Sequence, residues 1–216
     1  MEEMKRGECP MVAGGTTLKP YDCGSNFVRG TRGTMMDMYR HPKQLEQVLD
    51  RLLPMRIRIG VRAAKGSGIP RVMIPLHKGQ EGFMSMDQYK RFYWPGLRQL
   101  MMALIEEGIT PCPLVEGHYS SRLGLLADVP SGKVLYAFES TEDVIEAKKA
   151  LNDVACVRGG VPISLLCTGS PDEVRAHCKK LIEDLGEDGG FILDASTGLD
   201  DAKPENVRAM FEFTQL

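Results

Sequence analysis

No apolar run in this sequence is long enough to span a bilayer, which sets aside a helical membrane protein. No two of its cysteines, at positions 9, 23, 112, 156, 167 and 178, have Cys-x-x-Cys spacing. A structural zinc knuckle or a dithiol redox pair is therefore not expected. Neither sign of charge dominates: 27 Lys and Arg stand against 29 Asp and Glu, a net charge of −2. Nothing there suggests a nucleic-acid or membrane partner. Gly-x-Gly-x-x-Gly, Walker, Ser-His-Asp and Cys-His signatures are absent, so nucleotide binding and acyl transfer have no support. The opening Met1-Glu-Glu-Met-Lys-Arg6 lacks the apolar core of a signal peptide, and the expected compartment is the cytoplasm.

What is present is an alternation of two periods over 216 residues, enough for one domain with a core. Residues 1–28 carry Gly14-Gly15, Pro10 and Pro20 and read as irregular, followed by a short helix-like Thr34–Arg40. Leu45, Val48, Leu49, Leu52 and Leu53 repeat at helical spacing within 43–65, where Pro54 should kink or divide the helix. Arg71–His77 reads as a strand, and Ser85 with Gln88 as the capping box of a helix reaching about Glu107, bent near Pro95. Further strands are expected at 112–117, 134–138, 154–157 and 191–193. The helices between them include one capped by Ser140 and Asp143, and one opened by Ser170-Pro171-Asp-Glu173. In the latter, Val174, Cys178, Leu181, Ile182 and Leu185 form the buried stripe. A last helix opens at Pro204 with Val207, Met210 and Phe211 facing inward. Strand and helix thus alternate about five times, which calls for parallel strands with right-handed crossovers.

The chemistry concentrates in Pro111-Cys-Pro-Leu-Val-Glu-Gly-His-Tyr-Ser-Ser-Arg122, where an apolar run stops at polar groups. The C-terminal end of a parallel strand is where α/β proteins hold ligands. Two residues apart on a strand, Glu116 and His118 would point the same way and share a proton or a metal; the plain alternative is a solvated loop. Cys112, Cys156 and Cys178 lie in apolar patterns and read as buried, inert thiols. His41 and His177 read as surface residues.

Two late stretches carry a resemblance. Cys156-Val-Arg-Gly-Gly-Val-Pro-Ile-Ser-Leu-Leu-Cys-Thr-Gly-Ser-Pro-Asp-Glu-Val174 is one. Gly189-Gly-Phe-Ile-Leu-Asp-Ala-Ser-Thr-Gly-Leu199 with Lys203-Pro-Glu-Asn-Val-Arg-Ala-Met210 is the other. Together with Phe27–Met38 they resemble the uroporphyrinogen decarboxylase superfamily, which includes zinc-dependent cobamide methyltransferases. The resemblance implies a TIM barrel. A full barrel has about eight strands in about 250 residues, so this chain is expected to hold an incomplete one: 1–42 as an irregular segment and 43–216 as a partial barrel. It departs from the decarboxylases in having Ser196-Thr197-Gly198 where they have Gly-His-Gly. It departs from the methyltransferases in having Val115-Glu-Gly-His118 where they have His-x-Cys, and Ser196 where they have a second Cys. A soft thiolate zinc site is thus not expected.

In a barrel, His77, Glu116, His118, Glu139 and Asp194 would all face one mouth. His77, Glu116, His118 and Glu139 are the candidate catalytic residues and the candidate ligands of zinc or another divalent ion; a rim network without metal is the alternative. Arg29, Arg32 and Arg122 are candidates for gripping carboxylates or phosphates, with Tyr119 and Asp194 as further substrate contacts. Three functions follow from the resemblance: a corrinoid-linked methyltransferase, a decarboxylase of porphyrin biosynthesis, or a non-catalytic partial barrel. The implied partners are a tetrapyrrole or methylated substrate and a corrinoid protein. Uniformly apolar strands at 72–76 and 191–193 imply open sheet edges there. Residues 1–42 folding over one edge, a second copy pairing with it, or a longer native chain would each resolve that.

Overall fold

Parallel strands cannot be joined by tight turns, so each must be followed by a crossover, and the sequence provides helices for this. The computed structural model of the chain describes residues 12–139, 141–195 and 198–213. Cys9, Ser140, Ser196 and Thr197 lie outside the described residues. The chain divides into two compact units, Met1–Pro113 and Leu114–Leu216.

In the first unit, β1 (Gly15–Thr16) pairs in parallel with β2 (Arg71–Leu76), Gly15 opposite Val72 and Thr16 opposite Met73. Between them run α1 (Pro20–Cys23), a π turn at Gly24–Val28, α2 (Thr31–Arg40) and α3 (Pro42–Ser67). β1 corrects the reading of residues 12–28 as irregular. Two residues including a glycine give no periodic signal, yet Gly15 is required: a Cβ there would come within 2.4 Å of Ala63 Cβ on α3. The same strand covers the β2 edge, as expected of the N-terminal segment. Pro54 does not divide α3. It is exposed, so the Asp50 carbonyl it leaves without an intrahelical donor can turn to water.

β2 alternates rather than being apolar on both sides: Val72, Ile74 and Leu76 are fully buried, whereas Arg71, Met73 and Pro75 are half-buried. The Ser85–Gln88 capping box forms and opens α4 (Met86–Gln88). A π turn at Tyr89–Tyr93 then leads into α5 (Trp94–Glu106). The turn sits immediately before Pro95, where the missing N–H breaks the regular ladder, and so takes the place of the expected bend. Leu97, Leu100, Met101 and Leu104 of α5 are buried. Each such side chain contributes about 1.5–3 kcal/mol by leaving water.

β3 (Thr110–Val115) begins in the first unit, where the Thr110 N–H bonds the Pro70 carbonyl, and ends in the second. In the second unit its end pairs in parallel with β4 (Leu135–Phe138), which pairs with β5 (Cys156–Gly160), which pairs with β6 (Phe191–Asp194). The crossovers are a short 3₁₀ turn at Ser120–Arg122 with α6 (Leu123–Leu126), then α7 (Thr141–Leu151), then α8 (Ile163–Thr168) with α9 (Pro171–Leu185). α10 (Pro204–Phe213) ends the described chain.

Several expectations shift here. β5 starts two residues later than expected and runs through Arg158-Gly159-Gly160, where both glycines adopt positive φ (132° and 98°). α8 has no expected counterpart. The Ser170 capping box forms as read, but Ile182 is 38 % exposed and leaves the α9 stripe to Val174, Cys178, Leu181 and Leu185. On α10 the inward residues are Asn206, Ala209 and Met210, while Phe211 is exposed. Asn206 faces inward because its amide donates to the Leu166 and Gly169 carbonyls at the end of α8. Among the described residues no helix is long and apolar enough to cross a membrane.

Candidate functional site

The two units bring polar side chains to their strand ends separately. In the first, β1 is followed by Lys19 and Asp22, both fully buried. They pair with each other, and the Lys19 ammonium lies 3.5 Å from the centroid of the Tyr93 ring. Asp22 Oδ2 also accepts from the His77 backbone N–H (3.0 Å) and from the Tyr93 hydroxyl (3.4 Å). A charge this deep persists only when paired and hydrogen-bonded, and here one carboxylate ties the end of β2 to the segment after β1. Burial, and then the neighbouring Asp22, push the Tyr21 phenol well above its ordinary range.

His77 itself is exposed, and its Nδ1 lies 3.1 Å from Asn26 Nδ2, whose amide oxygen takes the Lys78 ammonium. Lys19, Asp22, Asn26 and Lys78 were not legible as site residues. The two-residue β1 that positions the first three offered no periodicity to read.

Arg29 forms a two-pronged pair with Asp37, Nε to Oδ2 at 2.8 Å and Nη2 to Oδ1 at 3.3 Å. The Arg29 hydrogen bond holds the Asp37 carboxyl below its usual range. The pair borders a largely apolar groove of about 270 Å³ between α2 and α3, lined by Val28, Leu45 and Val48. Arg32 is exposed on α2.

In the second unit, β3 ends at Val115 and Gly117 takes φ +81°, so strand alternation does not carry from Glu116 to His118. That corrects the expectation that the two point the same way. His118 is 76 % exposed and turns its Nδ1 toward Asp143 Oδ2, 3.6 Å away at the start of α7. Asp143 is buried. Glu139, at the end of β4, accepts from the Gly117 N–H through Oε2 at 3.3 Å. Tyr119 and Arg122 are both buried, the guanidinium carbon 5.6 Å from the Tyr119 ring centroid. Asp194, at the end of β6, pairs with Arg158 of β5, Nε to Oδ2 at 2.7 Å.

His177 is half-buried, with Nε2 2.9 Å from the Gly160 carbonyl, and is not the surface residue expected. Burial raises the thiols of Cys156 and Cys178, the latter to about 11, which keeps both as thiols. Among the described residues, no three His, Cys, Asp or Glu side chains gather within reach of one ion.

The profile of the family described as uroporphyrinogen decarboxylase (URO-D) matches residues 7–215. The chain belongs to the uroporphyrinogen decarboxylase family. Uroporphyrinogen decarboxylases of Chlorobium phaeobacteroides and Chlorobaculum tepidum are 24 % and 23 % identical to it over 190 and 184 residues, each alignment covering 82 % of this chain. The chain spans about half the length of these curated relatives (50 %). A solved methyltransferase from Methanosarcina mazei superposes with a TM-score of 0.78 at 19 % identity, covering 99 % of this chain and 61 % of the other. That likeness establishes the fold, parallel strands and helices of the barrel type.

Proposed function

We propose that this URO-D family protein transfers a methyl group between a methylated small molecule and an acceptor, rather than decarboxylating a polyacid. The observation that carries this is the charge at the strand ends of the second unit. Glu116, Glu139, Asp143 and Asp194 stand there against Arg122 and Arg158, and Arg158 is already paired with Asp194. An acid-rich mouth disfavours a substrate carrying several carboxylates and suits a neutral or cationic methyl donor. The name of the Methanosarcina mazei methyltransferase agrees with that reading. A corrinoid, free or carried by a protein, is the proposed methyl carrier.

The protein's own contribution is proton handling. Asp143 beside Nδ1 favours the His118 tautomer with its proton on Nδ1, leaving Nε2 as the basic nitrogen. His118 then takes the proton of the acceptor, a thiol in the simplest case, as that atom becomes nucleophilic. The methyl carbon passes to the acceptor, and its former bonding pair stays with the donor. Glu139, held by the Gly117 N–H, keeps the loop in place. The expected divalent ion finds no three-donor set among the described residues, so no step is derived from a metal.

The second reading, a porphyrin-type decarboxylase, rests on the names of the relatives. Incubation with methylcobalamin and a thiol is expected to bleach the methylcobalamin spectrum, with His118→Ala reducing the rate about 10²–10⁴-fold, as loss of a general base does. Absence of any spectral change, with porphyrins of fewer carboxylates formed from uroporphyrinogen, would favour the decarboxylase instead.

A further inference from the structure

Residues 29–65 hold nine Arg and Lys against three Asp and Glu, in a chain whose net charge is −2. The basic excess is therefore local, and from Arg51 to its end α3 has no acidic residue. A helix turns about 100° per residue, so Gln44, Val48, Arg51, Met55, Arg58 and Arg62 share one arc of about 80° on α3. All six are exposed. At about 1.5 Å per residue the row is about 27 Å long. Glu46 and Asp50 lie off this arc, and Glu46 is paired with Arg91. Among the described residues the guanidiniums of Arg51, Arg58 and Arg62 make no ion pair or hydrogen bond. By contrast, Arg56 donates to the Leu18 carbonyl and Lys65 pairs with Glu107. At its start the row meets the apolar groove between α2 and α3, since Gln44 and Val48 also line that groove. Val28, exposed, lines it as well.

We infer that this face of α3 docks an acidic amphipathic segment of a partner protein. An apolar side chain of the segment sits in the α2–α3 groove, and its carboxylates lie along Arg51, Arg58 and Arg62. Charge complementarity chooses the carboxylates, because the planar guanidinium matches them bidentately. The composition chooses a protein: Arg and Met are enriched where proteins meet, and Lys is depleted there. A lipid surface needs a helix with an outward apolar face. Here the apolar surface is a recess of about 270 Å³, which a bilayer cannot enter and a side chain can. A nucleic acid would leave that recess empty and bring its phosphates toward the Asp37 carboxylate beside it. The inference concerns the first unit alone and does not depend on which reaction the protein catalyses.

The probe is a fluorescent helical peptide carrying one leucine and three glutamates at the spacing of Val48, Arg51, Arg58 and Arg62. Its binding to the full chain is read by fluorescence anisotropy. Binding is expected to weaken about 10–100-fold in the combined Arg51→Glu, Arg58→Glu, Arg62→Glu variant. The milder Arg→Gln set at the same positions should weaken it about tenfold. With the wild-type protein, replacing the peptide's leucine by serine should weaken it about tenfold or more. A charge-matched control in the second unit, Lys149→Glu, Lys179→Glu, Lys180→Glu, is expected to bind as wild type does. Phosphatidylserine vesicles and duplex DNA serve as the other arms, and neither is expected to bind more tightly than the peptide. A peptide that does not bind the wild type, or binds it and both arginine variants equally, would overturn the inference. So would equal loss in the control variant, or vesicles or DNA binding more tightly than the peptide. The readout is independent of activity, so failure of the methyl-transfer reading leaves it intact, and its own failure leaves that reading intact.

Discussion

At the scale of single residues, the buried Lys19–Asp22 pair and the glycines at strand ends make the sharpest predictions. Lys19→Met strands the Asp22 carboxylate in a dry site and is expected to cost about 3–5 kcal/mol. Adding Asp22→Leu should restore part of that, though not the bonds to the His77 N–H and the Tyr93 hydroxyl. Urea midpoints of the two variants check it; equal stability of Lys19→Met and wild type would refute the pairing. Gly160 combines φ +98° with only 3.0 Å between a built Cβ and Leu181 Cδ1, so Gly160→Ala should destabilise by about 1–3 kcal/mol.

The Cys178 thiol gives a pH signature. Its ordinary value is 9.0 and burial raises it to about 11 in the folded protein. Between those values the unfolded chain has lost the proton and the folded chain retains it. Stability is therefore full below pH 9 and falls as pH rises toward about 11. Cys178→Ala should flatten that part of a denaturation-against-pH curve measured under reducing conditions.

At the scale of elements, the legible features were those with a local cause. Ser170-Pro171-Asp-Glu173 and Ser85 with Gln88 predicted capping boxes, and both formed where expected. Removing the first cap, Ser170→Ala, should cost about 0.5–2 kcal/mol, read from the thermal midpoint. What escaped the sequence had no local cause. β1 is two residues long and exists because β2 pairs with it. β5 extends through two glycines because β6 offers partners, Gly159 opposite Leu193 and Gly160 opposite Asp194. The expected Glu116–His118 pairing assumed that a strand continued past Val115, and a positive φ at Gly117 ends it. Cap and period rules act within a few residues, whereas pairing and burial depend on chain far away in sequence. The candidate site was read in the same uneven way. Glu116, Glu139 and Asp194 were read near the ends of β3, β4 and β6, where they stand, whereas Asp143 was read only as a cap and Lys19 and Asp22 after β1 were not read.

At the scale of the whole molecule, the family and the barrel-type fold were legible from late motifs, while among the described residues β6 pairs on one side only, with β5. In the second unit, Val115, Phe138, Gly159 and Leu193 form one row across the sheet, and Leu114, Ala137, Arg158 and Ile192 the next. The first row is largely buried; the second ends at Ile192, which is 44 % exposed on β6. An exposed apolar edge strand invites pairing with another chain. Sedimentation is expected to show reversible association, suppressed by Ile192→Lys; an unchanged monomer at every concentration would contradict it.

The central claim is methyl transfer, and following the methyl carbon tests it most directly. Methylcobalamin carrying a carbon-13 methyl group is incubated with the protein and a thiol, and the products are read by carbon-13 NMR. The account predicts that the label leaves cobalt and appears as a methyl thioether at a rate that depends on His118. A label that stays on cobalt, while the same preparation removes carbon dioxide from uroporphyrinogen, would contradict it.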